Sequence, residues 1–277
     1  MRSLLVTATL FVSFFVGGIF SSPISAQVKK AIGVKKPVAK PIAKPQPFVK
    51  VPGTRVLLST DSGSMMIRLY DSTPLHRDNF LAKVSEGFYD SLLFHRVIKN
   101  FMIQGGDPNS KNAQPGEMLG MGSAPGNMIP AEFNKSYYHK KGALAAARDN
   151  NPERASSNCQ FYIVQGKKMS DQDLEMMSMQ GKTYSPAQKE VYKTIGGTAF
   201  LDQNYTVFGE VEVGINIIDK LASVPTAPGD RPLNDLRMKM KVLSEEEVDA
   251  IFKEANKPAV IKKPTVKKTI SKTVKRK

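Results

Sequence analysis

The sequence predicts a mainly β domain, a closed barrel or a sandwich built from eight short antiparallel strands with two helices packed on it. Eight segments of strand character, each bounded by Gly, Pro, Asn or Asp, run between Arg55 and Val242. No regular helical crossover separates them, which argues against a parallel α/β sheet. Composition supports a packed core, because 41% of the 277 residues are hydrophobic and 14 are Phe, a content that excludes wholesale disorder. The net charge of +15 belongs to the ends of the chain: residues 1–52 hold eight basic and no acidic residues, and residues 253–277 hold ten basic and one acidic. The middle is left at −2, so the pI of 9.7 describes two arms and not the fold.

In chain order the strand segments are RVLLST (55–60), GSMMIRLY (63–70), LLFHRVI (92–98), FMIQGG (101–106), GALAAAR (142–148), QFYIVQ (160–165), TVFGEV (206–211) and LRMKMKV (236–242). The last alternates most cleanly, with basic residues pointing one way and Met238, Met240 and Val242 the other, as a sheet with one wet face requires. Between the second and third strands, Thr73 as cap and Pro74 in the first turn open a helix through PLHRDNFLAKVSEG, with Phe80 and Val84 four apart on one face. Val213, Ile217, Leu221 and Val224 form the stripe of a second helix. Both stripes are core-facing and should cap the barrel ends. Residues 168–198 break the strand rhythm as a helical insertion, in which Ser185, Pro186 and Gln188 make a capping-box start. Its Met176, Met177 and Met179 read as adaptable packing, with a peptide-gripping surface as the alternative. A further box, Ser244 with Glu247, opens a terminal helix that runs to Ala255.

The chain begins with Arg2 joined to an apolar run, Leu4 to Phe20, and then SSPISA before Gln27, the form of a signal peptide cleaved after Ala26. That run is shorter than the ~20 apolar residues of a membrane span and is diluted by Ser, Thr and Gly. The expected plan is a signal peptide (1–26), a Lys/Pro-rich extended linker (27–52), a globular domain (53–243), a terminal helix (244–256) and a basic disordered tail (257–277). The single cysteine, Cys159, permits no internal disulfide, so export is argued from the leader alone.

Several chemistries lack support. His76, His95 and His139 have no metal-ligand spacing, no G-x-S-x-G elbow occurs, and GMGSAPG (120–126) has one residue too many for a dinucleotide fingerprint. No metal or cofactor is expected. The informative stretch is FHRVIKNFMIQGGD (94–107), which sets Arg96 and Gln104 on successive strand-like runs with Phe101 and Met102 between them. Alternation turns Arg96 away from His95 and Val97. Taken alone, Arg96 reads equally well as a surface residue.

FHRVIKNFMIQGGD, KKGALAAAR, SSNCQFYIV and FLDQNYTVFGEV with VPT after it are four separated blocks. In that order they resemble the cyclophilin-type peptidyl-prolyl isomerases, over about Arg55 to Val242. The resemblance implies an eight-stranded antiparallel barrel capped by two helices, in agreement with the elements above, and rotation of X-Pro bonds in proline-containing polypeptides. It carries the family's functional positions onto Arg96, Phe101, Met102, Gln104, Ala147, Gln160, Tyr162, Phe200, Leu201 and Tyr205. Rotating an X-Pro amide meets a barrier of ~18–20 kcal/mol from lost conjugation, and no bond need be made or broken. A dry pocket for the proline ring and a fixed cation where the twisted amide rearranges its charge are what help. On this reading Phe101, Met102 and Tyr162 form the pocket, Arg96 is the catalytic donor and Gln104 orients it. Ala147 and Gln160 line the groove and hold the substrate backbone, with Phe200, Leu201 and Tyr205 as its rim.

Departures from the family pattern refine this expectation. Phe200 and Tyr205 stand where many eukaryotic members have Trp and His, whereas bacterial exported members resemble this chain; that implies a periplasmic protein, expected as a monomer. Tyr162 stands where Phe is usual, adding a hydroxyl that needs a partner when buried. Arg148 adds a cation beside the groove, and Cys159 replaces a common Ser. The alternative is a peptide-binding module of the same fold, which needs no transition-state donor; the presence of Arg96, Phe101, Met102 and Gln104 favours the enzyme. The basic arms read equally well as solvated tails that aid solubility or as tethers, and as tethers they suit anionic lipid or an envelope polymer better than nucleic acid, since they offer only Phe48 for base stacking. The drug-binding consequence is testable: with Phe200 in place of an indole N–H donor, the cyclic peptide cyclosporin should inhibit weakly, and Phe200→Trp should strengthen inhibition. Equal potency against both proteins would refute the assignment of that position.

Overall fold

The structure, a computed structural model, describes residues 50–257. The predicted signal peptide, all but the last three residues of the linker, and the basic tail beyond Lys257 lie outside these residues.

All eight predicted strands form: β1 (Arg55–Thr60), β2 (Gly63–Leu69), β3 (Phe94–Ile98), β4 (Met102–Gly105), β5 (Ala143–Ala146), β6 (Phe161–Val164), β7 (Val207–Val213) and β8 (Lys239–Val242). They make one antiparallel sheet in the order β3-β4-β6-β5-β7-β2-β1-β8. The sheet curls until its ends meet just outside the terminal ladders. Ser91 N–H donates to Met238 O, Met238 N–H to Leu92 O and Phe94 N–H to Leu236 O, each at 2.9 Å.

The two faces of the wall explain the strand sequences. Val56, Leu58, Met65, Ile67, Leu69, Ile103, Leu144, Phe161, Ile163 and Phe208 fill one core. Met102, Ala143, Ala145, Tyr162, Val164 and Val207 form a second buried cluster with Leu201. Strands β5 and β6 have apolar neighbours on both sides, and so read as continuous apolar runs rather than alternations.

Helix α1 (Pro74–Ser85) plugs the barrel with Phe80, whose ring lies 5.1–5.7 Å from Tyr89, Phe208 and Phe161. Thr73 occupies the cap position, but its hydroxyl donates back to Tyr70 O. The open N–H groups of Leu75 and His76 are instead met by the Glu132 carboxylate, at 3.1 and 3.0 Å. The insertion holds two helices, α2 (Asp171–Met179) and α3 (Pro186–Thr194), both with complete capping boxes. Met176 and Met179 do not pack as expected: Leu174 takes the buried face of α2, leaving these two outside at 52% and 79% exposure. Helix α4 (Ile215–Leu221) buries Ile217 and Leu221 as its stripe predicts, but it is shorter than expected: Gly214 starts it, so Val213 ends β7 and Val224 follows the helix.

Helix α5 (Glu245–Ala255) starts from the predicted Ser244–Glu247 box and packs Val248 and Phe252 with Met66 and Leu243. Beneath it Arg55 is buried, donating from Nε to Glu212 at 3.0 Å. Val242 departs from the predicted alternation: it ends β8 at 37% exposure, while Met238 and Met240 are buried. Among the described residues no helix is long and apolar enough to cross a membrane.

Candidate active site

The site lies on the outer wall of the barrel, over the cluster that contains Met102 and Tyr162. Strand β3 carries a bulge: Phe94 pairs with Gly105 and Arg96 with Gln104, so His95 is the extra residue. Phe94 and Val97, three apart, therefore both enter the core, and simple alternation fails at His95. Its ring packs beneath Gly120, where a Cβ would lie 3.5 Å from His95 Nε2. Arg96, on the register partner of Gln104, stays half-exposed.

Arg96 is held from two sides. Its Nη1 donates to Gln104 Oε1 at 3.5 Å, and its Nε faces Asp230 Oδ2 at 3.4 Å. Asp230 was invisible to the sequence reading; PGDRP (228–232) signals only a turn. The turn places Asp230 at φ +63° and lets its carbonyl accept the Val97 N–H at 2.8 Å, which locks the loop to β3. Gln104 in turn donates to Gln160 Oε1 at 3.1 Å, and Gln160 donates to Gly120 O at 3.0 Å and Gly122 O at 2.7 Å. The Gln160 amide thus has its N–H donors engaged by the 120–122 loop. These bonds brace that loop along the groove.

Below the loop, the buried Asp107 carboxylate accepts from the backbone N–H groups of Asn109 (2.8 Å), Gly122 (3.3 Å) and Gly120. The neighbouring bend needs a glycine at 106: its φ is +95°, and a Cβ there would sit 2.2 Å from Cys159 O.

These elements enclose a cavity of about 150 Å³ lined by Arg96, Phe101, Met102, Gln104, Ala147, Arg148, Tyr162, Leu201 and Tyr205. Eight of the ten predicted site residues meet there. Gln160 lines an adjoining cavity of about 480 Å³ that shares Gln104, Ala147 and Arg148 and is edged by Met121 and Met128. Phe200 lies outside both linings, stacking on Phe101 at 5.6 Å with 48% exposure. Arg148 lies over the Tyr205 ring at 4.6 Å and donates to Asn204 O and Asp149 O, so the extra cation stiffens the rim. The Tyr162 hydroxyl finds the partner that its burial demands in His139 Nε2, 2.9 Å away.

The profile of the family described as "Cyclophilin type peptidyl-prolyl cis-trans isomerase/CLD" matches residues 55–242, about two thirds of the chain. The chain belongs to that family. This cyclophilin is 33% identical over 183 residues to a protein of Staphylococcus aureus (strain USA300) named for peptidyl-prolyl cis-trans isomerase activity, covering 66% of this chain and 87% of that one. It is 35% identical over 187 residues to a Streptococcus pyogenes serotype M6 protein named for phosphatase and peptidyl-prolyl cis-trans isomerase activities, covering 66% of this chain and 37% of the longer relative. In fold it is similar to the crystal structure of a cyclophilin-type isomerase from Cryptosporidium parvum, obtained in the presence of the dipeptide Ala-Pro. That likeness has a TM-score of 0.52 at 22% identity and covers 69% of this chain and 99% of that one. The protein is therefore a cyclophilin-type peptidyl-prolyl cis-trans isomerase, and its substrates are proline-containing peptides.

Beside the cavity, His95 makes the cyclophilin's stability pH-dependent. Burial pushes its pKa down to about 4; Asp107 opposes this, and the positive Arg96 and Arg231 add to it. Neither ring nitrogen has a hydrogen-bond partner among the described residues. An unfolded histidine binds its proton near pH 6.5 and the folded one only near pH 4, so stability is full above pH 6.5 and is lost as pH falls toward 4. The difference in unfolding free energy between pH 7 and pH 4 should contain on the order of 3 kcal/mol from this group. His95→Phe, followed by denaturant unfolding, should flatten that part of the slope; identical slopes in both proteins would exclude the assignment.

Proposed function

We propose that this cyclophilin is an exported folding catalyst whose turnover rests on Arg96. The observation that carries the reading is Arg96 held between Gln104 and Asp230 on the wall of a cavity whose floor is the apolar Met102 side chain and the Tyr162 ring. A proline ring seated on that floor lies beside the guanidinium. Nε and Nη1 have their protein partners, while Nη2 has none among the described residues and is available to the substrate. As the X-Pro bond twists, its nitrogen loses conjugation and pyramidalises, and its lone pair becomes an acceptor. A donor already fixed there stabilises the twisted amide more than either planar isomer, and this differential binding accelerates rotation. Arginine suits the task, since it remains charged when partly desolvated and presents several donors in one plane. Gln104 and Asp230 act on Arg96 and so position it. Ala147 and Arg148 line the passage from the proline cavity to the larger one, where residues preceding the proline have room. Phe200 and Tyr205 form the outer rim.

Export is supported by the leader-like residues 1–26, and a periplasmic location by the Phe200 and Tyr205 pattern. Proteins crossing into that compartment fold there with X-Pro bonds still to be sorted, a step that takes tens to hundreds of seconds uncatalysed. The arms supply a second property. Seven lysines from Lys29 to Lys50, and a net +9 over residues 253–277, suit them to anionic lipid headgroups or envelope polymers.

Arg96→Ala should retain the fold and lose about 10²–10³ of the rate in a protease-coupled isomerisation assay on the mature chain. Turnover like that of the wild type in the folded variant would overturn the mechanism. Sedimentation with anionic vesicles should show binding that weakens steeply with salt and vanishes when both arms are deleted, with kcat/KM on a small peptide unchanged. Binding that persists without the arms, or ignores salt, would show that the charge excess is not the adhesive element.

A further inference from the structure

The insertion contributes no side chain to the proline cavity, yet a buried hydrogen-bond chain connects the two. Asp202 lies at its centre. One carboxylate oxygen, Oδ2, accepts from the Tyr192 hydroxyl of α3 at 2.6 Å. The other, Oδ1, faces His139 Nδ1 at 2.7 Å and accepts the His139 backbone N–H at 2.8 Å. On the far side of the imidazole, Nε2 is 2.9 Å from the Tyr162 hydroxyl on the cavity floor. His139 and Tyr192 are fully buried, and Asp202 and Tyr162 are 5% exposed.

Donor and acceptor roles follow from the carboxylate. An ionised carboxylate can only accept, so Nδ1 carries a hydrogen, and in that tautomer of the neutral ring Nε2 is the acceptor to which the Tyr162 hydroxyl donates. The polarity then runs Tyr162 to His139 to Asp202, with Tyr192 donating to Asp202 from the other end. The Tyr162 ring is held from two sides: its hydroxyl end meets His139, the two rings nearly parallel at 14°, and Tyr205 meets it edge-on at 81°. The insertion is shaped to deliver Tyr192. Its ring sits among Leu174, Ala199, Tyr138 and Tyr184, and Gly197 gives it room, since a Cβ there would lie 2.6 Å from Tyr192 Cε1. A phenylalanine at position 162 would fill the floor without any of these requirements. The hydroxyl costs desolvation unless it is partnered, and here its partner reports on a separate helix.

We propose that α3 of the insertion sets the floor of the proline cavity through this chain, with Tyr192, Asp202 and His139 as positioning residues for Tyr162. The proposal rests on the reading that the cavity around Tyr162 takes the proline ring. Removing one link should let the ring lean, loosening ground state and transition state together, so the loss should fall mainly on KM.

A double-mutant cycle on kcat/KM with an X-Pro peptide tests it, using wild type, Tyr192→Phe, Tyr162→Phe and the double variant, with thermal stability recorded for each. Tyr192→Phe should lower kcat/KM by about 3- to 10-fold in the wild-type background, mostly through KM, and by less than about 1.5-fold once Tyr162 is Phe. A drop of equal size in both backgrounds, or a loss of stability with unchanged kcat/KM, would overturn the proposal and leave the chain a purely structural one. Asp202→Asn, breaking the same chain at its centre, must show the same background dependence; it serves if Tyr192→Phe fails to fold. Tyr162→Ala separates the two ideas: if it folds and keeps wild-type kcat/KM, the cavity is not the proline site and the underlying reading falls first.

Discussion

The wall that carries Arg96 depends on the three backbone hydrogen bonds that pair residues 91–94 with 236–238. Strand β3 is an end of the eight-stranded ladder, and without that pairing Arg96 would sit on an open sheet edge facing water. Curling the sheet until Leu92 and Met238 meet brings the 227–231 turn across β3. The carbonyl of Asp230 then takes the Val97 N–H while its carboxylate faces Arg96. Residues 134 apart in the chain thereby share one site. The bulge at His95 belongs to the same solution: it lets Phe94 and Val97 both enter the core and leaves Arg96 outward against Gln104.

From there order spreads by directed hydrogen bonds. Asp107, wholly buried, gathers backbone N–H groups from Asn109, Gly120 and Gly122. The carbonyls of that loop take both donors of Gln160, whose oxygen takes Gln104, whose oxygen faces Arg96. Each amide has one orientation that satisfies both neighbours, so the relay has a sense and cannot flip piecemeal. A guanidinium restrained in this way loses little freedom on meeting substrate, which is the condition under which a single donor is effective.

Much of this was legible in the sequence because it is local. Strand limits follow Gly and Pro punctuation, the starts of α3 and α5 follow capping boxes, and the core faces of α1 and α4 follow their stripes. Eight of ten site positions converge on one cavity because they sit on or directly beside the four adjacent strands β3, β4, β6 and β5 and on the segment after the insertion. What escaped notice is non-local. Asp230 and Glu132 lie in loops whose sequence says only turn or linker, and their roles appear when a partner far along the chain arrives. His139 and Asp202, 63 residues apart, are of the same kind. The exposed Met176 and Met179 failed for the opposite reason: side-chain character suggested packing, but α2 has just one buried face and Leu174 occupies it.

The docking of α5 has a geometric consequence for the ends of the chain. Lys50, at the start of the described residues, contacts Glu245 and Asp249 in the first turns of that helix. The helix then runs on toward Lys257, where the basic tail begins, about 12 Å further along at a rise of 1.5 Å per residue. Lys50 and Lys257, the described residues that border the two polycationic stretches, therefore both lie along α5. An anionic surface that captured one would hold the other at high effective concentration, so their affinities would multiply rather than average. Two anchor points would also restrict how the barrel turns on such a surface, giving a tethered enzyme a preferred facing.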